Sequence, residues 1–183
     1  HSKINIPAIK VEVVDSVNLF FLKKAITDVE NHINFMQDSY LIISDSLNNG
    51  RNAFYHYENI PFYDTYQYLD LPFIADRHYI ARCNILENKK SIRINWKLLK
   101  YENYSSYLDN LKCNKKSCIF IENGFGYWEL EKIDNFKTKI TYCIYLNPKG
   151  WIPPFIINLS NINVIPNTVV NMINEAKRLQ NLN

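Results

Sequence analysis

Lys149-Gly150-Trp151-Ile152-Pro153-Pro154-Phe155-Ile156-Ile157-Asn158 reads as a tight turn and a helix start, and helical spacing continues from there to Arg178. Gly150 permits the strained geometry of a turn after a strand. Pro153 and Pro154 suit a first helical turn, where the missing N–H would have no intrahelical partner. At about 100° per residue, Phe155, Leu159, Ile162, Pro166, Val169, Val170, Ile173 and Ala176 fall in one arc. Ser160, Asn163, Asn167, Asn171, Asn174 and Arg178 fall opposite. Lys177 and Arg178 suit the negative end of the helix dipole. Pro166 inside the pattern predicts a kink or short break. Ile156, Ile157 and Val164 lie off the stripe, so the first half is apolar on more than one side. Periodicity allows two readings, a core helix packed on a sheet or a kinked lid over a cavity.

Upstream, strand signals dominate. Ile9–Val14 alternates and is β-branched. Asp15 or Ser16 is expected to cap a helix over Val17–Thr27, where Leu19, Leu22 and Ile26 are at helical spacing. Asp28 is expected to cap a second short helix through His32 to Met36, with Phe35-Met36 plugging one end of the core. Strands are expected at Tyr40–Ser44 and Ala53–Glu58, joined by an Asn48-Asn49-Gly50 hairpin turn. A break at Pro61–Asp64 precedes further strands at Thr65–Leu71, Tyr79–Leu86 and Ile92–Leu99. Ile119–Ile121, Phe125–Lys132 and Lys139–Leu146 complete the set, with bending at Gly124 and Gly126. Tyr101–Ser117 is the longest irregular stretch, long enough to suggest a functional loop. The order predicts one α+β domain over residues 1–183. After the first strand and the two helices, six or seven antiparallel strands would complete a sheet that curves around a long C-terminal helix.

Composition narrows the function classes. Hydrophobic residues make up 47% of the 183, ample for a core. The 13 tyrosines suit half-buried strand faces and amphipathic pockets. Four glycines leave no room for a Gly-rich phosphate loop. The net charge of +3 is mild, and its lysines gather at Lys89-Lys90, Lys112–Lys116 and Lys132–Lys139. Such clusters read first as solvated turns, and second as weak attraction to an anionic membrane surface. Nucleic acid would call for a denser basic stripe, so none is expected as a partner. No run of about 18 apolar residues could span a membrane as a helix. The chain begins at His1, so an upstream segment is expected to be missing, and the compartment of a soluble protein stays open. Cys83 and Cys143 lie in apolar alternating runs and read as small hydrophobes. Cys113 and Cys118 could form a disulfide or remain thiols. No zinc-ligand spacing is present, and no metal or cofactor is expected.

Several segments, in order, carry a resemblance. They are Thr27-Asp28-Val29-Glu30-Asn31 with Phe35-Met36, Leu69-Asp70-Leu71-Pro72-Phe73 with Asp76-Arg77-His78-Tyr79-Ile80, and Gly126-Tyr127-Trp128-Glu129-Leu130. Thr138-Lys139-Ile140-Thr141-Tyr142 and the Lys149–Asn158 stretch complete them. Together they resemble the START lipid-transfer domains, within the helix-grip superfamily of Bet v 1-like and polyketide-cyclase-like proteins. His78 departs from the acidic residue usual after Arg77, and Ile74 from a common second proline. The resemblance implies a helix-grip fold whose curved sheet and C-terminal helix bound an apolar tunnel. It further implies a lipid partner, phospholipid or sterol, transient contact with a membrane surface, and a monomer.

On that expectation the tunnel is lined by Trp96, Tyr142 and Ile144 from strands and by Phe155, Leu159, Ile162, Val169 and Ile173 from the helix. Tyr142 could also hydrogen-bond a head group or sterol hydroxyl. The expected gates are the first half of the C-terminal helix, loosened by Pro166, and the Tyr101–Ser117 loop. Arg77 is expected to make an ion pair or hydrogen bonds at the strand start rather than to touch cargo. The alternatives are an enzyme of the polyketide cyclase or hydrolase kind and a small-molecule-sensing module. The enzyme would need a polar constellation. His56, Glu58 and His78 are present, but the zinc-deaminase partner motif and G-x-S-x-G are not.

Overall fold

A computed structural model describes residues 7–36, 40–47, 55–57, 60–111, 117–150 and 152–182, with backbone alone at 55–57, 60–61, 154 and 158–161. The strands are β1 (Ile9–Asp15), β2 (Leu41–Ser46), β3 (Tyr55–Tyr57), β4 (Ile60–Leu69), β5 (Asp76–Glu87), β6 (Ser91–Leu98), β7 (Cys118–Phe120), β8 (Asn123–Lys132) and β9 (Thr138–Asn147). All pair into one sheet, in the order β1-β9-β8-β6-β5-β4-β2. β3 adds to β4, and β7 adds to β5 as a parallel pair in an otherwise antiparallel sheet. The architecture is α+β, with a long C-terminal helix across the sheet.

The helices are α1 (Leu19–Thr27), α2 (His32–Phe35), α3 (Ser105–Leu108), α4 (Pro154–Leu159) and α5 (Ile165–Asn181). Asn18, not Asp15 or Ser16, caps α1, because its Oδ1 accepts the Phe20 N–H at 2.8 Å. Asp28 makes no side-chain cap, and a 3₁₀ turn at Val29–Asn31 leads into α2. Cys118 is disulfide-bonded, Cys83 and Cys143 are free thiols, and Cys113 lies outside the described residues. So does the Asn48-Asn49-Gly50 hairpin.

Two corrections concern β4 and the 101–117 stretch. β4 is continuous from Ile60, so Pro61 does not break it. It stands second in the strand, where a missing N–H is tolerated. Residues 101–111 fold back as a 3₁₀ turn and α3 onto the sheet face away from the C-terminal helix. There Tyr101, Tyr104, Tyr107 and Leu108 pack on Tyr66, Tyr68 and Ile80. Arg82 forks onto Asp64 at 2.8 and 2.7 Å, and the Tyr104 hydroxyl also donates to Asp64. Residues 101–111 thus lie on the face opposite the C-terminal helix, and residues 112–116 of the expected loop lie outside the described residues.

The C-terminal helix is broken as Pro166 requires. α4 passes into a π-helical turn at Ser160–Val164 before α5 begins. Pro166 lacks an N–H and its ring crowds the carbonyl four residues back, so a widened turn relieves both defects. The far end is well anchored. α5 packs on α1, Lys177 pairs with Asp15 at 2.6 Å, and the Gln180 amide oxygen accepts from Asn18 N–H at 2.9 Å. Among the described residues no side-chain hydrogen bond or ion pair ties α4 to the sheet.

Candidate functional site

Alternation along the strands turns one set of side chains to the concave face. Tyr63, Thr65 and Gln67 of β4 stand opposite Cys83, Ala81 and Tyr79 of β5. Ile94 and Trp96 of β6, Trp128 of β8, and Tyr142, Ile144 and Leu146 of β9 extend the same surface. Ile152, Ile156, Ile157, Val164, Ile165 and Met172 of the C-terminal segment face it. Between them lies a cavity of about 270 Å³. That is near the lower end of ligand pockets, roughly 300–1,000 Å³.

Local sequence choices shape the wall. Gly126 allows the Trp96 indole to lie across β8, since a Cβ there would stand 2.5 Å from the ring and 2.2 Å from the Cys143 carbonyl oxygen. The Tyr142 ring stacks on Trp128, with centroids 4.1 Å apart. Gly150 takes a φ of 68° and turns the chain from β9 towards α4. Arg77 holds that turn. Its Nε donates to the Pro148 carbonyl at 2.7 Å and its guanidinium NH2 to the Lys149 carbonyl at 3.1 Å, while NH1 reaches the Ala75 carbonyl.

Burial also sets the ionisation of the wall. It pushes the Cys83 thiol up to about 12 and raises the hydroxyls of Tyr63, Tyr79 and Tyr142 above the ordinary tyrosine value. It lowers His32 to about 4, although hydrogen bonding to backbone opposes this. His32 Nε2 donates to the Ala25 carbonyl at 3.2 Å, and its buried Nδ1 has no partner among the described residues. All five side chains are neutral at neutral pH. Among the described residues no group of three or more potential metal ligands occurs.

The expected lining residues separate into four groups. Trp96, Tyr142 and Ile144 stand in the cavity wall. Val169 and Ile173 are buried in the core of which α1 is also a part. Phe155 and Ile162 turn outward, 58% and 71% exposed. The side chain of Leu159 lies outside the described residues. The π turn explains the outward pair. On an uninterrupted helix Phe155 and Ile173, 18 residues apart, share a direction at about 100° per residue. A π turn takes up about one extra residue, which turns the upstream half by about 100°. Phe155 then leaves the arc, and Ile156 comes to within about 60° of Met172. Ile156, Ile157 and Val164, apolar yet off the ideal stripe, were the trace of this in the sequence.

Structural likeness is broad. The chain superposes on human STARD10 with a TM-score of 0.72 at 15% identity, over 99% of this chain and 68% of that one. This chain has the fold of the START domains. A STAR-related lipid transfer protein from Xanthomonas axonopodis gives a TM-score of 0.68 at 16% identity, covering 92% of this chain and 84% of that one. The Zhui aromatase/cyclase from Streptomyces sp. R1128 shares the helix-grip plan at a TM-score of 0.56 and 12% identity, over 94% of each chain. No family model and no curated relative matches the sequence itself. The START fold therefore rests on three-dimensional likeness.

Proposed function

We propose that the protein binds a hydrophobic ligand, a phospholipid or a sterol, between its concave sheet and C-terminal helix, and carries it between membranes without chemical change. The observation that carries this reading is the apolar-walled cavity itself. Left unfilled, about 270 Å³ would cost on the order of 6 kcal/mol at ~24 cal/mol per Å³. That is comparable to the stability of a whole domain. Each CH₂ of a ligand buried there contributes about 0.8 kcal/mol. In this reading Trp96, Tyr142, Ile144, Ile156 and Ile157 touch the cargo.

The gate is α4 with the π turn. α5 is pinned by α1, Asp15 and Asn18, whereas the side chains described in α4, Phe155, Ile156 and Ile157, are apolar and form no such bonds. Its outward side presents Phe155 and Ile162, and the β4–β5 turn presents Phe73, 90% exposed. Exposed apolar side chains of this kind suit transient contact with a membrane surface. No described helix is long and apolar enough to cross a membrane.

The cyclase-like alternative needs a proton acceptor in the cavity. The wall offers protonated tyrosines, a protonated thiol and a neutral histidine whose unpartnered Nδ1 burial makes a weak base. That chemistry favours holding a ligand over transforming one. Native mass spectrometry of the purified protein tests the proposal. A bound mass in the phospholipid or sterol range is expected. A bare protein mass, together with no acceleration of lipid exchange between vesicles, would overturn it.

A further inference from the structure

Two hairpin turns at one end of the sheet carry a charge pattern that the cavity does not use. Asn88-Lys89-Lys90 joins β5 to β6, and Ile133-Asp134-Asn135-Phe136-Lys137 joins β8 to β9. The turns abut, because the Lys132 N–H donates to the Lys90 carbonyl at 2.8 Å. Lys89, Lys90, Lys132 and Lys137 are thereby gathered on one tip, and all four are exposed. Asp134 is the one acid inside the two turns. The flanking acids are already matched, Glu87 by Lys23 and Glu131 by Lys139 at 3.3 Å.

Two large apolar side chains stand among these lysines. Phe136 is 76% exposed and Ile133 54%. The turn that presents them is held in shape. Asp134 Oδ1 accepts the N–H groups of Phe136 and Lys137 at 2.7 and 2.8 Å, and the Ile133 N–H donates to the Lys137 carbonyl at 3.0 Å. Apolar side chains projecting among lysines match the layering of an anionic bilayer, where phosphates meet the ammonium groups and hydrocarbon lies beyond. A protein partner fits less well, since protein interfaces are depleted in lysine. The tip also has no arginine, the side chain whose planar fork suits carboxylate and nucleic-acid recognition.

The tip lies at the far end of the sheet from α4. β9 runs 10 residues from Thr138 beside the tip to Asn147 beside the turn into α4, a span of about 30 Å. We propose that the tip is a membrane-contact site distinct from the α4 end, docking on an anionic bilayer with Phe136 and Ile133 inserted among the head groups. This goes beyond the carrier reading and does not depend on it, because docking by the tip needs no cargo.

The test is sedimentation of the full chain with sucrose-loaded phosphatidylcholine vesicles, with or without added phosphatidylserine. Binding to the anionic vesicles is expected to be at least about tenfold tighter and to weaken as salt rises. Lys132→Gln with Lys137→Gln should weaken it about fivefold for each lysine removed. Lys97→Gln with Lys100→Gln removes the same charge from exposed positions at the other end of β6 and should change it less than about twofold. Phe136→Ser leaves the charge untouched and should weaken it about fivefold. Equal binding to both kinds of vesicle would overturn the proposal. So would equal loss in the two lysine pairs, or full binding by Phe136→Ser. Retention on immobilised polyglutamate without vesicle binding would overturn it in favour of an acidic protein partner. Tip-dependent vesicle binding with no lipid exchange would leave it standing while the carrier reading fell.

Discussion

Replacing Arg77 with leucine should show what holds the turn between β9 and α4. Arg77 is 2% exposed and spans from β5 to the turn that launches α4. A hydrogen bond from a charged donor contributes about 1.5–3 kcal/mol, so the bonds to Pro148 and Lys149 together represent about 3–6 kcal/mol. Against this, leucine removes the cost of burying a guanidinium, which here also lowers the arginine's affinity for its proton. A net loss of about 2–4 kcal/mol is expected. For a chain of this length that lowers Tm by about 4–16 °C. Arg77→Lys should recover little, because one compact ammonium cannot replace a planar fork that reaches three carbonyls. Thermal unfolding followed by circular dichroism measures the effect, and urea midpoints give an independent value. A Tm for Arg77→Leu within about 2 °C of the parent would refute the argument that Arg77 clamps the β9–α4 turn.

Three further outcomes are expected. Ile156→Arg places an unpaired charge in the cavity wall, so lipid exchange between vesicles should fall at least about tenfold with helical content retained; normal exchange would remove Ile156 from the wall. Gly126→Ala forces a Cβ against the Cys143 carbonyl and the Trp96 ring and should cost about 1–3 kcal/mol, read as a lowered urea midpoint; an unchanged midpoint would mean that the two strands and the indole adjust freely. His32 is lowered to about 4 in the folded state, so its stabilising contribution is present above the unfolded value near 6.5 and declines as pH falls towards 4. Between pH 7.5 and 5 that amounts to about 2 kcal/mol. His32→Phe should flatten the stability profile by that amount, leaving the smaller slope from His78, which burial also lowers; an identical slope in the variant would exclude His32 as its source.

How far the sequence disclosed this arrangement depends on how many faces of each element are buried. Ile92–Leu98 and Ile140–Leu146 set larger apolar side chains on one face against smaller or more polar ones on the other, so their period of two is visible. β4 and β5 are covered on both sides, by the cavity wall and by the tyrosine-rich layer of residues 101–111. Their alternation is masked, Pro61 then reads as a breaker, and the covering layer itself reads as a loop. Composition could not reveal that a second face needed covering. The tyrosines of 101–107 were the available signal, since amphipathic side chains suit a layer that is buried on one side and wet on the other.

The helix half of the expected lining is placed differently for another reason, and the difference bears on the proposed function. An ideal helix with one apolar stripe would bury it, leaving little for a membrane to meet and no weak point at which to open. Pro166 forces a wider turn, and the turn puts the two halves out of phase. In α5 the stripe of Val169, Ile173 and Ala176 is buried in the core, with α1 packed alongside. In α4 the same turn swings Ile156 and Ile157 onto the cavity and Phe155 to the outside. One proline thus separates an anchored half from a half with apolar side chains on both its sides. On the proposed function, such a half could exchange contacts with a cargo for contacts with a bilayer at little net change in buried apolar surface, which is the energetic condition for a gate that opens at a membrane and stays shut in water.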